Sequence, residues 1–272
     1  MSYAFPQGGL PPQGQSPTDP PHGRAIFTEA YAFLPAATMT DIVTSELPHW
    51  TGTRAWILAR PMTGFAETFA QYAVEVAPGG GSSRPDPDIE VEAGIFVAEG
   101  EMTLVIAGTS HKLGAGGYAY VPPETEWFVV NDAQTVLKFH WIRKRYALED
   151  GIDLPEPVIT SDQDTSPSPM PDTDKWATTR FVDPSDLRHD MHVNIVTFQP
   201  GGRIPFPETH VMEHGLYVLQ GTARYLLNRD WVEVGPGDFM WLRAFCPQAC
   251  EATGDAPFRY LLYKDVNRHP IL

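Results

Sequence analysis

Between Glu208 and His214 the chain reads Glu-Thr-His-Val-Met-Glu-His, a stretch dense in side chains able to hold a metal ion. On a β-strand alternate side chains share a face, so Glu208, His210 and His214 would project together. One hard carboxylate oxygen with two borderline imidazole nitrogens suits Mn2+, Fe2+ or Zn2+ better than Ca2+ or a thiolate-seeking ion.

A helix is the rival geometry, because His210-x-x-Glu213-His214 also matches the H-x-x-E-H signature of inverted zinc peptidases. The flanks favour the strand. Pro205 and Pro207 precede the motif, Gly215 interrupts it, and the β-rich run Leu216-Tyr-Val-Leu219 follows, ending at Gln220-Gly221. On a strand Glu213 faces away from the histidines and cannot serve them as a base.

The elements that must carry this motif are duplicated. Glu213-His-Gly-Leu-Tyr-Val-Leu-Gln-Gly221 mirrors Glu92-Ala-Gly-Ile-Phe-Val-Ala-Glu-Gly100 at an offset of 121 residues. The same offset links Gly114-Ala-Gly116 to Gly235-Pro-Gly237 and Leu137-Lys-Phe139 to Phe258-Arg-Tyr260, while Ala77-Pro-Gly-Gly80 and Gln199-Pro-Gly-Gly202 correspond with a one-residue slip. One spacing held across several segments marks a tandem duplication.

Each half reads as short β runs between Gly and Pro turns. The first has 71–76, 94–97, 102–106, 117–121 and 126–130, and the second 191–198, 215–219, 223–227, 238–242 and 258–263. Such strands without a long amphipathic helix indicate an all-β sandwich or jelly-roll barrel. We expect a flexible arm over 1–24, an N-terminal domain over 25–148, a Pro/Asp-rich linker over 149–184 and a C-terminal domain over 185–272.

Composition sets outer bounds. Lys and Arg total 19 against 34 Asp and Glu, a net charge of -15 that disfavours phosphate-backbone binding, so no nucleic-acid partner is expected. No apolar run is long enough to span a bilayer. The two cysteines, Cys246 and Cys250, make no disulfide framework, and the N-terminal stretch lacks the basic and apolar regions of a secretory signal. A cytoplasmic location is therefore the expectation.

The arrangement resembles the cupin family, and specifically a bicupin with two tandem jelly-roll barrels. Gly202 through Gly221 follows the first cupin motif, with Glu208 where its first histidine stands. The second motif contributes one further ligand after a P-x-G turn, and the frame points to Gln248 in Phe245-Cys-Pro-Gln-Ala-Cys250. Subtracting 121 from the four donor positions gives Pro87, Ile89, Ala93 and Trp127. None of these is a ligand, so the N-terminal half reads as a cupin whose metal cavity is filled by apolar side chains.

The segments ETHVMEHGLYVLQG, PGDFMWLRAFCPQAC and FRYLLYKDVNRH narrow the resemblance to the (S)-ureidoglycine aminohydrolase family of purine (allantoin) degradation. It is close over the C-terminal half and looser over residues 50–146. The resemblance implies a Mn2+ site at Glu208, His210, His214 and Gln248, with Fe2+ or Zn2+ as alternatives. It also implies substrate contacts from Gln248, Tyr225, Tyr260 and Lys264, and a small-molecule substrate, ureidoglycine. Glu208 is a candidate base as well as a ligand, two roles the sequence does not divide. Bicupins commonly assemble through their sheets, so a homo-oligomer is expected.

Tyr260 and Lys264 share parity, and a lysine in an otherwise apolar strand needs an anion, which a substrate carboxylate would supply. The alternative is a strand-end lysine reaching water. His140, His189, His192 and His269 lack partners at ligand spacing and read as surface or structural. Cys250 reads as core packing that could border the cavity, and Trp231 and Trp241 as core. Arg243 sits near the cupin turn. Two other functions stay open: a cupin dioxygenase or decarboxylase, and a non-catalytic binding or storage bicupin.

Overall fold

The computed structural model describes residues 2–11, 25–265 and 268, and nearly all of their regular structure is β. In chain order the strands begin as β1 Ile26–Phe27, β2 Tyr31–Leu34, β3 Thr44–Ser45, β4 Thr51–Ala59, β5 Phe69–Ser82, β6 Val91–Glu99 and β7 Glu101–Ile106. They continue as β8 Thr109–Gly114, β9 Gly117–Val121, β10 Trp127–Val130, β11 Leu137–Arg145, β12 Val158–Ser161, β13 Ser168–Pro169 and β14 Trp176–Arg180. The last are β15 Met191–Phe198, β16 His214–Gln220, β17 Ala223–Leu227, β18 Asp230–Val234, β19 Phe239–Leu242, β20 Gln248–Ala252 and β21 Phe258–Asp265. Among the described residues no helix is long and apolar enough to cross a membrane.

The duplication is visible in the strand register. Ala93 pairs with Val121 as His214 pairs with Leu242, and Arg143 with Ala93 as Lys264 with His214. Trp127 pairs with Ile106 as Gln248 pairs with Leu227. Each barrel has its own apolar interior. Val74, Ile95, Val97, Leu104 and Phe139 fill the first, and Val196, Phe198, Leu216, Val218 and Tyr260 the second. A third cluster joins the barrels through Phe69, Phe96, Met191, Tyr217, Leu261 and Tyr263. Strands such as β16 and β21 are thus buried on both faces, which explains their unbroken apolar runs.

The expected domain borders shift, because each half lends strands to the other. β1 and β2 lie in the C-terminal sheet, where β2 pairs with β19. β12, from the presumed linker, pairs with β9 of the N-terminal sheet, and β14 with β15. These loans cover sheet edges that would otherwise expose unpaired backbone groups. The expected arm also departs from expectation over residues 2–11. Tyr3 and Phe5 are buried in the inter-barrel cluster, the Ala4 amide donates to the Leu219 carbonyl, and Tyr3 donates to Asp162. Residues 12–24 of that arm lie outside the described residues.

The interface is reciprocal around two glycines of the repeat. A Cβ on Gly215 would stand 2.6 Å from the Phe69 ring, and one on Gly94 would stand 3.0 Å from Val193. Gly215→Ala should therefore overpack the interface and lower stability by about 1–3 kcal/mol. Thermal unfolding checks this; an unchanged Tm would mean that Phe69 rotates away freely.

The glutamates two residues before these glycines differ in fate. Glu213 accepts from the Glu67 amide (2.8 Å), the Thr68 amide (3.0 Å) and hydroxyl (2.5 Å) and Trp241 Nε1 (2.6 Å). Glu92 accepts from the Tyr120 hydroxyl at 2.6 Å, while its Oε1 is buried without a partner among the described residues. Burial above all pushes the Glu92 carboxyl up to about 8, against the pull of Lys144. Unfolded Glu92 ionises near its ordinary 4.5 while the folded one keeps its proton, so this group removes stability as pH rises from about 5 to 8. Glu92→Gln should abolish that loss. Its stability advantage over the wild type should widen from pH 5 to pH 8 in urea unfolding, and an equal shift at both would refute the assignment.

Candidate active site

The motif that opened the sequence reading is neither a single strand nor a helix. Glu208 makes an isolated bridge with Gln248, residues 209–213 form a loop, and β16 begins at His214. The side chains converge because the loop is pinned at several points, and not through strand parity. Glu208 and Gln248 exchange both backbone hydrogen bonds (2.9 and 2.8 Å), and the Phe245 amide donates to the His210 carbonyl (2.6 Å). The Glu213 amide donates to Asp265 (2.6 Å). Pro205 and Pro207 lack the amides a continuous strand would need.

The four candidate donors meet as two couples. His210 Nε2 lies 3.1 Å from Glu208 Oε1, and Gln248 Nε2 lies 3.4 Å from His214 Nδ1. The two imidazoles are 5.0 Å apart between ring centres. Among the described residues no three His, Cys, Asp or Glu side chains gather tightly enough to form a metal cluster by themselves. The fit to a divalent ion rests instead on donor state. Burial, then the neighbouring His210 and Lys264, push the His214 imidazole down to about 3, so it is neutral with a free lone pair at pH 7. Gln248 is buried, and its Oε1 accepts from the Tyr225 hydroxyl at 2.9 Å. A neutral imidazole and an oriented amide oxygen are the forms in which these groups bind metal.

Beside the donors runs a row of polar residues. His214, Lys264 and His192 are direct cross-strand neighbours on β16, β21 and β15. The next row is Leu216, Leu262, Asn194 and, on β14, Arg180. Directly paired residues share a sheet face. This face carries Val218, Tyr260 and Val196 into the C-terminal interior, so Tyr260 and Lys264 do face inward together, as parity predicted. Tyr225 and Tyr260 stand edge to face, 6.1 Å apart.

No ion pair or hydrogen bond partners the Lys264 ammonium among the described residues, and burial first, Arg180 second, push its pKa down. Its counterpart in the N-terminal barrel is Arg143, which has an internal anion. Asp86 lies 2.6 Å from Arg143 Nε, and its side chain is only 3% exposed. The same position thus carries a neutralised cation in one barrel and an unneutralised one in the other.

Sequence reasoning set His192 aside as surface or structural and did not single out Asn194. Both are buried, and among the described residues neither His192 ring nitrogen nor Asn194 Oδ1 has a hydrogen-bond partner. Burial, then Lys264, push the His192 imidazole down to about 4. The available signal was parity within the Met191–Phe198 run, where two polar side chains alternate with Met191, Val193 and Ile195.

The remaining expectations separate. Trp241 is core, but Trp231 is 47% exposed and stacks under the Arg224 guanidinium at 4.7 Å. It belongs to a polar hairpin face, with β18 exposed at Asp230, Trp231 and Glu233. His140 and His189 are buried between elements, against Tyr217 and Tyr120 respectively, and His269 lies outside the described residues. Cys250 is buried in the C-terminal interior opposite Tyr225, and both cysteines are free. Arg243 is exposed. Of the first-barrel positions equivalent to the candidate donors, Ala93 and Trp127 are core, whereas Ile89 is 69% exposed. Apolar filling there is the work of Trp127 against Trp141.

The Cupin domain model matches residues 72–143 and 194–263, one match per barrel. The chain is 33% identical over 251 residues to the (S)-ureidoglycine aminohydrolase of Arabidopsis thaliana, covering 91% of this chain and 80% of the relative. It is 29% identical to the (S)-ureidoglycine aminohydrolase of Escherichia coli, covering 85% and 87%. The crystal structure of a Pseudomonas aeruginosa protein described as glyoxylate-induced superposes with a TM-score of 0.92 at 58% identity, over 100% of this chain and 98% of that one. Two cupin barrels and these relatives lead to one conclusion: the chain belongs to the (S)-ureidoglycine aminohydrolase family of bicupins.

Proposed function

We propose that this protein is a manganese-dependent hydrolase that converts (S)-ureidoglycine and water into (S)-ureidoglycolate and ammonia, a step of allantoin degradation. The observation that carries the reading is the meeting of Glu208, His210, His214 and Gln248 beside an unneutralised Lys264 in the second barrel. Family relatives named for this reaction support it.

In this reading Glu208, His210, His214 and Gln248 hold the ion, which supplies a Lewis acid and a template when bound. Lys264 pairs with the substrate carboxylate in a partly desolvated site, where a charge-assisted bond is strong. Tyr225 holds the Gln248 amide in position, and Tyr260 borders the substrate from the same inner face as Lys264. At the substrate α-carbon the bond to the amine nitrogen breaks and a bond to a water oxygen forms. Glu208 takes the proton that the water gives up, and the amine leaves with a proton as ammonia.

The test is turnover of freshly generated (S)-ureidoglycine by chelated and by Mn2+-restored protein, with ureidoglycolate enantiomers resolved. The spontaneous reaction also releases ammonia, so stereochemistry is the readout. Purely (S) product that depends on Mn2+ is expected. Racemic product at the background rate would discard the aminohydrolase reading.

A further inference from the structure

The C-terminal barrel buries hydrogen-bonding atoms that the metal donors and Lys264 do not use. His192 is 1% and Asn194 2% exposed, yet both His192 ring nitrogens and Asn194 Oδ1 lack partners among the described residues. A buried polar atom left unpaired is costly, and natural folds tolerate one chiefly where a ligand or an ordered water completes it. Both residues lie on the inner face of β15, His192 directly beside Lys264 and Asn194 in the next row. Two strand spacings, about 10 Å of backbone, separate His192 from His214.

The chemistry of this wall is specific. Lys264 and Arg180 are donors only, and Tyr225 already donates to Gln248. His192 and Asn194 add acceptors: Asn194 Oδ1 and whichever His192 nitrogen carries the lone pair. The other His192 nitrogen donates. A group with N–H donors and a carbonyl acceptor, next to a carboxylate, complements such a wall. The first barrel lacks this arrangement. There Ala70 pairs with Arg143 where His192 pairs with Lys264, and Tyr72 pairs with Trp141 where Asn194 pairs with Leu262. The Tyr72 hydroxyl accepts from Arg143 at 3.3 Å. The polar pair therefore accompanies the metal donors and is missing where they are missing.

We propose that His192 and Asn194 form the ureido-binding subsite of the C-terminal barrel, taking the urea end of a substrate whose carboxylate is held by Lys264. The inference rests on the ureidoglycine reading above and adds residues that select substrates by their terminal carbamoyl nitrogen. Asn194 Oδ1 and the lone-pair nitrogen of His192 accept from the two N–H groups of that nitrogen.

The test uses two stable probes that share the carboxylate and differ at the far end, N-carbamoylglycine and N-acetylglycine. Each is titrated calorimetrically into the full chain with Mn2+ present. The wild type should bind N-carbamoylglycine at least about tenfold more tightly than N-acetylglycine. Asn194→Leu and His192→Leu should lose that preference by weakening N-carbamoylglycine alone. His192→Gln, which keeps a donor and an acceptor, should retain most of it. Lys264→Met should weaken both probes and leave their ratio. A wild type that binds neither probe or binds both equally overturns the subsite, and this arm needs no variant to fold. Folded variants that keep the preference, or lose both probes together, also overturn it. A preference of the expected kind in a protein that yields no (S)-ureidoglycolate would leave the subsite standing and discard the aminohydrolase reading.

Discussion

His214→Ala should abolish stereospecific ammonia release, lowering kcat/KM by at least about 10³-fold, beyond the 10- to 100-fold typical of losing an outer-shell partner. His214 sits where β16 begins, and its neutral imidazole is 3.4 Å from the Gln248 amide. Removing it would take a nitrogen donor from the proposed metal set and leave Gln248 facing a gap. The fold should survive, because the flanking residues hold the strand start. Glu213 is anchored by four donors, and Gly215 packs on Phe69. Manganese content after dialysis and the Tm separate the two effects. A folded His214→Ala protein with wild-type manganese and wild-type turnover would remove this residue from the metal set.

Lys264→Met should lower kcat/KM by on the order of 10²-fold while manganese content stays at the wild-type level. The expectation comes from comparing the two barrels. Arg143 and Lys264 occupy equivalent register positions, but Arg143 is neutralised by a buried Asp86 and Lys264 by no described residue. A half-buried ammonium without an internal anion costs free energy that a substrate carboxylate recovers on binding. Methionine keeps the length of the side chain and removes the charge, so packing around Leu262 should be preserved. If the loss falls in KM with kcat unchanged, Lys264 contributes uniform binding; if it falls in kcat, the charge matters at the transition state. Kinetics matching the wild type would mean that Lys264 simply extends to solvent.

Local chemistry made much of this molecule legible. The 121-residue repeat, the Gly and Pro punctuation and the β-rich runs announced two all-β barrels, and the expected run 191–198 coincides with β15. Donor types and the cupin frame singled out Glu208, His210, His214 and Gln248, and parity along β21 put Tyr260 and Lys264 on one inner face. These features were readable because they depend on residue type, on a period of two and on an internal copy, all written along the chain.

What the tertiary structure alone decided concerns groups far apart in sequence. The donors converge through a pinned loop, not a strand, because the bridge from Glu208 to Gln248 and the anchoring of Glu213 by Thr68 come from distant segments. The exchange of β1, β2 and β12 between halves was hidden because a strand of two to four residues is too short to show a period, and nothing in it names its partner strand. Trp231 was misjudged because composition cannot say which face of a hairpin meets water. Asp86 and Arg143, 57 residues apart, fill one barrel with its own ion pair. The His192 ring nitrogens and Asn194 Oδ1 find no partner among the described residues of the other, since satisfaction of a buried polar atom depends on every strand around it. The residue types were in the sequence; which of them found a partner was settled by packing.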